Sequence, residues 1–383
     1  MPQARAGKEA MVAKEAMVAK ENCAPCVLEI SADALSKNYH ALAARIAPAR
    51  LNAVVKADGY GLGSVAIVQH LAHLGCKRFF VATLAEGIHL RRHFDESGLP
   101  DLEFIVFNGI MPSEQASFLS ERITPMLCTP DQIKSWQTGG RGRPAMVHID
   151  TGINRLGVGY ETVIANSNAF IQELSRINCC AIISHLAAAD DPDDAMNSRQ
   201  LQRFQQIKQL LGDGFQYSLS ASGGAFIGSE YHFDFVRAGI ALYGGIANRY
   251  AKGLIHPVVR AHLRILQIKA CRPGDRIGYG GGWVVQKPCR IATIACGYRD
   301  GLARRLARRA GFVAKGQILP LVGRISMDMA TLEIPDDLEL GLNDRVELIG
   351  PSRSLQQLAA DLGTIDYEVL CSFGNRWQRS WVC

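Results

Sequence analysis

Short apolar runs alternate with amphipathic segments along roughly the first 240 residues of the chain. Runs of this length, bounded by turn residues, are typical of the buried strands of a parallel sheet. We predict eight such strands, at residues 51–55, 79–83, 103–107, 123–127, 146–150, 181–184, 217–220 and 233–236. Helical spacing fills most gaps between them, although the gap before the last strand contains no clear helix. The alternation predicts an α/β fold, with an N-terminal (α/β)8 barrel.

The pattern changes after about residue 246, where short strand-like segments are separated by turn signals such as RPGD at 272–275 and LND at 342–344. We therefore predict a C-terminal mainly-β domain, with short helices near 355–362 and 367–373. The domain boundaries are set at 27–250 for the barrel and 251–383 for the β domain. Residues 1–26 contain the hexapeptide KEAMVA twice in tandem and are interpreted as a disordered N-terminal extension.

Composition narrows the possible functions. Hydrophobic residues make up 48% of the 383 residues, and the net charge of +6 is mildly basic. The densest basic run, RRLARR at 304–309, lacks interleaved aromatic residues, so a solvated helix face is favoured over a nucleic-acid site. The 11 cysteines follow no disulfide or zinc-site spacing, which favours a cytoplasmic protein with reduced thiols and no metal. No apolar run reaches the length of a membrane span.

Lys56 stands at the end of the first predicted strand, and a loop with three glycines follows it. Burying the charged amine of a lysine at the end of a strand costs free energy unless the amine has a partner or reaches water. One interpretation is therefore a side chain that extends to solvent. The other is a desolvated amine beside a ligand-binding glycine loop, which suits Schiff-base chemistry with a carbonyl compound.

The loops after the seventh and eighth strands are the usual phosphate sites of such barrels. Ser222 offers a hydroxyl there, and Gly239 and Ile240 offer backbone N–H groups. The alternative is an ordinary turn serine and a glycine that begins a helix. The two features together at these positions favour a phosphate group.

At these residues the chain resembles a known family. Residues 53–63, AVVKADGYGLG, are similar to the motif of alanine racemases in which a lysine binds pyridoxal 5'-phosphate. The resemblance extends from about residue 27 to the C-terminus. It includes FVRAGIALYG at 235–244, GYGGGW at 278–283, GYRDG at 297–301, GRISMD at 323–328 and DYEVLC at 366–371.

The resemblance implies a set of site residues. Lys56 would carry the pyridoxal 5'-phosphate cofactor. The other cofactor-binding residues would be Tyr60, His185, Ser222, Arg237, Gly239, Ile240 and Tyr367. Arg155 and the backbone N–H of Met327 would bind the substrate carboxylate. Tyr298 would stand at the entrance to the active site.

The implied activity is the interconversion of L-alanine and D-alanine by two bases acting on a pyridoxal-phosphate aldimine. Lys56 would serve one face of the substrate carbon, and Tyr279 from the second subunit of a homodimer the other. Arg237 would donate to the pyridine nitrogen, and a guanidinium does not give up its proton at working pH. The ring is then a weaker electron sink, which suits proton removal and return more than transamination.

Three alternatives remain. The first is a racemase with broader amino-acid specificity. The second is an amino-acid decarboxylase of the same two-domain plan, but those enzymes place a carboxylate, not an arginine, at the pyridine nitrogen. The third is a non-catalytic pyridoxal-phosphate-binding protein, but those relatives are single barrels and lack the β domain.

His148 is a departure from the family. Many alanine racemases carry a carbamylated lysine seven residues before the arginine that matches Arg155, and its negative charge holds that arginine. An imidazole cannot form a stable carbamate and offers at best one neutral acceptor nitrogen. We therefore expect Arg155 to be held more weakly or by a bound anion such as chloride. The alternative is that His148 only packs at the end of its strand.

Overall fold

The computed structural model describes residues 24–99, 101–306 and 311–382. These residues form two compact units. One is Ala34–His256, and the other combines the described part of Met1–Asp33 with that of Pro257–Cys383. The predicted disorder of the N-terminal extension falls almost entirely on residues outside the described ranges.

The unit Ala34–His256 is built on a parallel sheet whose strands match the eight predicted from the sequence. In the described part of this unit they are Arg50–Val54, Arg78–Val81, Glu103–Val106, Thr124–Leu127, Pro144–Asp150, Asn178–Ile183, Gln216–Ser218 and Phe235–Ala238. The first seven strands pair in order, each with the next, and the eighth pairs with the first. The seventh and the eighth are joined by an isolated bridge between Ala221 and Arg237 instead of a ladder. The ring closes where the Arg237 N–H donates to the Ser220 carbonyl at 3.1 Å. The prediction of a barrel is therefore confirmed, with one short additional strand, Val158–Gly159, paired to Pro144–Asp150.

Helices cover the outside of this sheet because each turns an apolar stripe towards it. Their bounds are Ala32–Ile46, Ser64–His73, Leu84–Glu96, Gln115–Ser120, Pro130–Gly139, Tyr160–Ala165, Ser167–Ser175, Ala195–Leu211 and Gly224–Ile227. In Ala195–Leu211 the inward face is formed by Leu201, Phe204 and Ile207, which are buried, whereas Leu211 is half-buried. Only the short helix Gly224–Ile227 and a 3-10 turn, Ser229–Tyr231, lie in the gap that lacked a helical pattern.

The second unit is mainly β, as predicted. Its larger sheet contains, within the described residues, Cys26–Ser31, Val259–Cys271, Cys289–Ile294, Gly311–Ala314, Gln317–Val322, Ala330–Ile334, Arg345–Ile349 and Gln378–Val382. A small hairpin pairs Arg276–Ile277 with Trp283–Val284. Two helices follow near the C-terminus, Leu355–Leu362 and Asp366–Ser372, close to their predicted positions.

The first strand belongs to this second unit. Cys26–Ser31 pairs antiparallel with Val259–Cys271 and parallel with Gln378–Val382. The division based on the sequence began the barrel at residue 27, whereas in the structure the barrel unit begins at Ala34 and ends at His256. The difference arises because an apolar strand carries no local mark of which sheet it will join.

The described residues contain no helix that is long and apolar enough to cross a bilayer. Nor do they contain a group of three or more His, Cys, Asp or Glu side chains arranged to hold a metal ion.

Candidate active site

A left-handed turn follows Lys56 at the end of the first barrel strand. Ala57, Asp58, Gly59 and Tyr60 have φ values of 53°, 53°, 63° and 57°. Only one of them is glycine, and each of the other three pays roughly 1–2 kcal/mol for this conformation. Backbone strain of this kind persists only where surrounding contacts enforce it, and it is common at functional sites. The Lys56 Nζ lies 5.9 Å from the centroid of the Phe107 ring.

The turn brings Tyr60 against the loops after the seventh and eighth strands. A Cβ atom built on Gly239 would lie 2.2 Å from the Tyr60 Oη, so only glycine fits there. The Tyr60 ring packs on Tyr243 with 4.8 Å between centroids, and the Tyr243 hydroxyl donates to the Val54 carbonyl at 2.7 Å. The residues of the predicted phosphate site are thereby brought together with the lysine loop.

The backbone donors of this site differ in one respect from the sequence-based hypothesis. The Gly239 N–H donates to the Ser222 Oγ at 2.9 Å, and the Ala241 N–H donates to the same oxygen at 3.3 Å. Gly239 therefore fixes the position of Ser222. The hydroxyl hydrogen of Ser222 has no acceptor among the described residues. The Ile240 N–H has no acceptor among the described residues and stays available for an anion.

Arg237 is buried and surrounded by neutral acceptors. Its Nη1 donates to the Ser218 carbonyl at 2.9 Å and to the Ser218 hydroxyl, and its Nη2 donates to the Ser184 carbonyl. The Nη2 also lies 3.5 Å from the His185 Nδ1. Within the described residues the Nε–H has no acceptor, and no carboxylate pairs with the guanidinium. Burial lowers the pKa of Arg237 to about 9, which leaves it protonated at pH 7.

Two histidines lie beside this guanidinium. Burial and then Arg237 lower the pKa of His185 well below its ordinary value, and the same causes lower the pKa of His148 to about 4. Both imidazoles are therefore neutral at pH 7. The His148 Nε2 is buried and makes no hydrogen bond within the described residues.

Arg155 is exposed and its charge reaches both histidines. The turn that leads to it is held by Asp150, whose Oδ1 accepts the Gly152 and Ile153 N–H groups at 2.8 and 2.9 Å. Arg155 forms no ion pair with any described residue.

Tyr279, Met327 and Tyr367 belong to the β-rich unit. Tyr279 lies on the 3-10 turn Tyr279–Gly281 and is 71% exposed. It lines a cavity of about 410 Å³ together with Arg324, Ser326 and Met329. Met327 is also exposed, and Tyr367 lies in the first turn of the helix Asp366–Ser372.

Within this unit, the motifs at 297–301 and 323–328 are in direct contact. The Tyr298 N–H donates to the Ser326 carbonyl at 3.0 Å, and the Arg299 N–H donates to the Met327 carbonyl at 3.1 Å. Asp300 and Asp328, the acidic residues of these two motifs, are joined by a residue that the sequence analysis missed. Arg376 donates to Asp300 at 2.7 and 3.0 Å and to Asp328 at 2.8 Å. No spacing in the sequence singles out this arginine.

Comparison with known proteins agrees with this arrangement. The family model of the alanine racemase N-terminal domain matches residues 30–247, and that of the alanine racemase C-terminal domain matches residues 258–381.

The chain belongs to the alanine racemase family.

Among curated proteins, the chain is 39% identical to the alanine racemase of Brucella suis over 378 residues, which covers 93% of each chain. It is 38% identical over 360 residues to a catabolic alanine racemase of Rhizobium johnstonii, covering 92% of this chain and 94% of that protein. Among solved structures, it is similar to the alanine racemase of Bartonella henselae with covalently bound pyridoxal phosphate. That match has a TM-score of 0.86 and 33% identity, and it covers 94% of this chain and 100% of the other.

Alanine racemases are isomerases that depend on pyridoxal phosphate. The predicted membership of this family is confirmed, as are the enzyme class and the cofactor that followed from it. The residues of the barrel unit fit that cofactor. A backbone cradle at Gly239 admits no side chain, the Ile240 N–H is available for a phosphate, and the Arg237 Nε–H is available for a ring nitrogen.

Proposed function

We propose that this protein interconverts L-alanine and D-alanine by a two-base mechanism with Lys56 and Tyr279 as the bases. The observation that carries the proposal is the environment of Arg237. This buried cation has no carboxylate partner among the described residues, and its Nε–H donates to none of them. A decarboxylase of the same plan would need a carboxylate in this place.

The cofactor, when bound, supplies a sink for negative charge at the α-carbon of the substrate. Tyr60, Ser222 and the Ile240 N–H would hold its phosphate, while the Gly239 N–H holds the Ser222 hydroxyl in place. The Arg237 Nε–H would donate to its ring nitrogen and, because a guanidinium keeps its proton at pH 7, would leave that nitrogen unprotonated. His185 is neutral and contacts the same guanidinium, so it orients Arg237 without adding charge. Tyr367 is the remaining proposed cofactor-binding residue.

Proton transfer requires one base on each face of the α-carbon. The Lys56 amine removes or returns the proton on one face, and the Tyr279 phenol of the second subunit does so on the other. Arg155 and the Met327 N–H bind the substrate carboxylate and keep the α-carbon between the two bases.

The proposed homodimer shares its active sites in this way. The exposure of Tyr279 and Met327 supports it, because a proton-transfer site must be shielded from bulk water and here a second copy would supply the cover. We also propose a cytoplasmic location and no nucleic-acid or membrane partner. Eight cysteines in the described ranges, from Cys26 to Cys296, are free thiols, which supports a reducing compartment.

The proposal is tested by incubating the purified protein with a panel of single L-amino acids and measuring the D-enantiomer by chiral chromatography and released carbon dioxide in parallel. D-alanine should form fastest, with no carbon dioxide. Comparable rates with larger amino acids would indicate a broader racemase. Carbon dioxide release without enantiomer exchange would contradict the proposal.

A further inference from the structure

We propose that Glu86 is a positioning residue that holds Lys56 and Tyr60 in place by clamping the left-handed turn between them. The inference rests on the proposed function, because those two residues are the proposed attachment point and phosphate ligand of the cofactor. Sequence reasoning gave Glu86 no role.

The Glu86 carboxylate joins the loops that follow two neighbouring barrel strands. Its Oε1 accepts the Ala57 N–H at 2.8 Å, the first backbone donor after Lys56. Its Oε2 accepts the Ala82 N–H at 2.7 Å and the Thr83 N–H at 3.2 Å, both after the second strand. Hydrogen bonds to a charged acceptor are about twice as strong as those between neutral groups.

The position of the carboxylate is itself defined by the helix Leu84–Glu96. The Glu86 N–H donates to the Thr83 hydroxyl at 3.3 Å, so the two residues form a capping box at the start of this helix. The positive end of the helix also favours a negative charge there. The helix and the strand end therefore fix the Glu86 carboxylate, and the carboxylate in turn fixes the strained turn.

The far end of the turn has a clamp of its own. The Asp58 Oδ1 accepts the Ser64 N–H at 2.7 Å and the Ser64 hydroxyl at 3.0 Å. With both ends held, the left-handed backbone cannot relax by rotating at Ala57. Without Glu86 the Ala57 N–H loses its acceptor, and the turn that sets the positions of Lys56 and Tyr60 is held less firmly.

A purely structural role for Glu86 would be the capping of its helix. Thr83→Ala is the matched control, since it removes the reciprocal cap but leaves the acceptor of the Ala57 N–H in place. Glu86→Ala removes both. Glu86→Gln keeps one neutral acceptor for the Ala57 N–H.

The test compares the wild-type holoenzyme with Glu86→Ala, Glu86→Gln and Thr83→Ala. Three quantities are measured: amide hydrogen exchange of the peptide spanning 56–63, the rate of cofactor release into excess scavenger, and the separate kcat and KM values for L-alanine. In Glu86→Ala we expect exchange and cofactor release to rise at least tenfold and kcat to fall at least tenfold, with KM within about threefold. Glu86→Gln should lie between this variant and the wild type.

Thr83→Ala should stay within about twofold of the wild type in exchange at 56–63 and in cofactor release. Equal effects of Thr83→Ala and Glu86→Ala, or unchanged exchange at 56–63 in Glu86→Ala, would overturn the inference. If Glu86→Ala does not fold, Glu86→Gln carries the same comparison. Exchange and cofactor release do not depend on which amino acid is turned over, so a failure of the proposed reaction would be seen separately in the substrate panel.

Discussion

Replacing His148 by asparagine should make the protein more resistant to acid unfolding. His148 is buried in the strand Pro144–Asp150, and burial and then the nearby Arg237 lower its pKa to about 4. Asparagine is uncharged at every pH and similar in size, so it removes the titration and keeps the strand.

The size of the effect follows from the pKa. A histidine in an unfolded chain titrates near 6.5, and each pH unit of difference corresponds to about 1.4 kcal/mol. The drop to about 4 therefore corresponds to about 3 kcal/mol. Between pH 6.5 and about pH 4, His148 is protonated in the unfolded chain but not in the folded protein. The free energy of unfolding therefore falls as the pH decreases through that window. Above pH 6.5 the imidazole is neutral in both states and contributes no pH dependence.

The assay is urea unfolding of wild type and His148→Asn at intervals between pH 8 and pH 4, at one protein concentration because assembly affects apparent stability. The difference between the two unfolding free energies should be constant above pH 7. It should change by about 3 kcal/mol in favour of the variant by pH 4. His185 is present in both proteins and largely cancels. His148→Gln should give the same slope, which separates titration from packing. Parallel curves for wild type and variants would refute the reasoning.

Four further predictions concern the proposed site. Borohydride reduction followed by peptide mapping should place the pyridoxyl group on Lys56, and label on another lysine would contradict the assignment. Tyr279→Phe should slow α-proton removal from L-alanine more than from D-alanine in solvent-deuterium exchange, whereas equal slowing would argue against Tyr279 as the base on the L face. Mixed Lys56→Ala and Tyr279→Phe subunits should recover some activity, since one shared site per heterodimer is intact, and no recovery despite proven subunit exchange would exclude shared sites. Removing carbon dioxide should leave activity unchanged because His148 cannot form a carbamate to hold Arg155, while a reversible loss would show a carbamate elsewhere.

Much of the barrel was predictable because its strands and helices are marked locally. A buried parallel strand must be apolar along its length, and the helices that cover it must carry an apolar face every 3.6 residues. The strand Arg50–Val54 and the apolar face of Ala195–Leu211 were both visible in this way. The candidate residues at the strand ends followed, since parallel strands in a barrel present their carboxyl ends on one side.

Features that depend on partners distant in the chain were decided only by the tertiary structure. Cys26–Ser31 has the composition of any buried strand, and its two partners lie more than 200 residues away. The glycine loop after Lys56 predicted a backbone that comes close to a ligand, yet three of the four residues in left-handed conformation are not glycine and depend on contacts from Glu86 and Ser64. A sequence records local preference, whereas strain and long-range pairing exist only once distant groups supply the hydrogen bonds that enforce them.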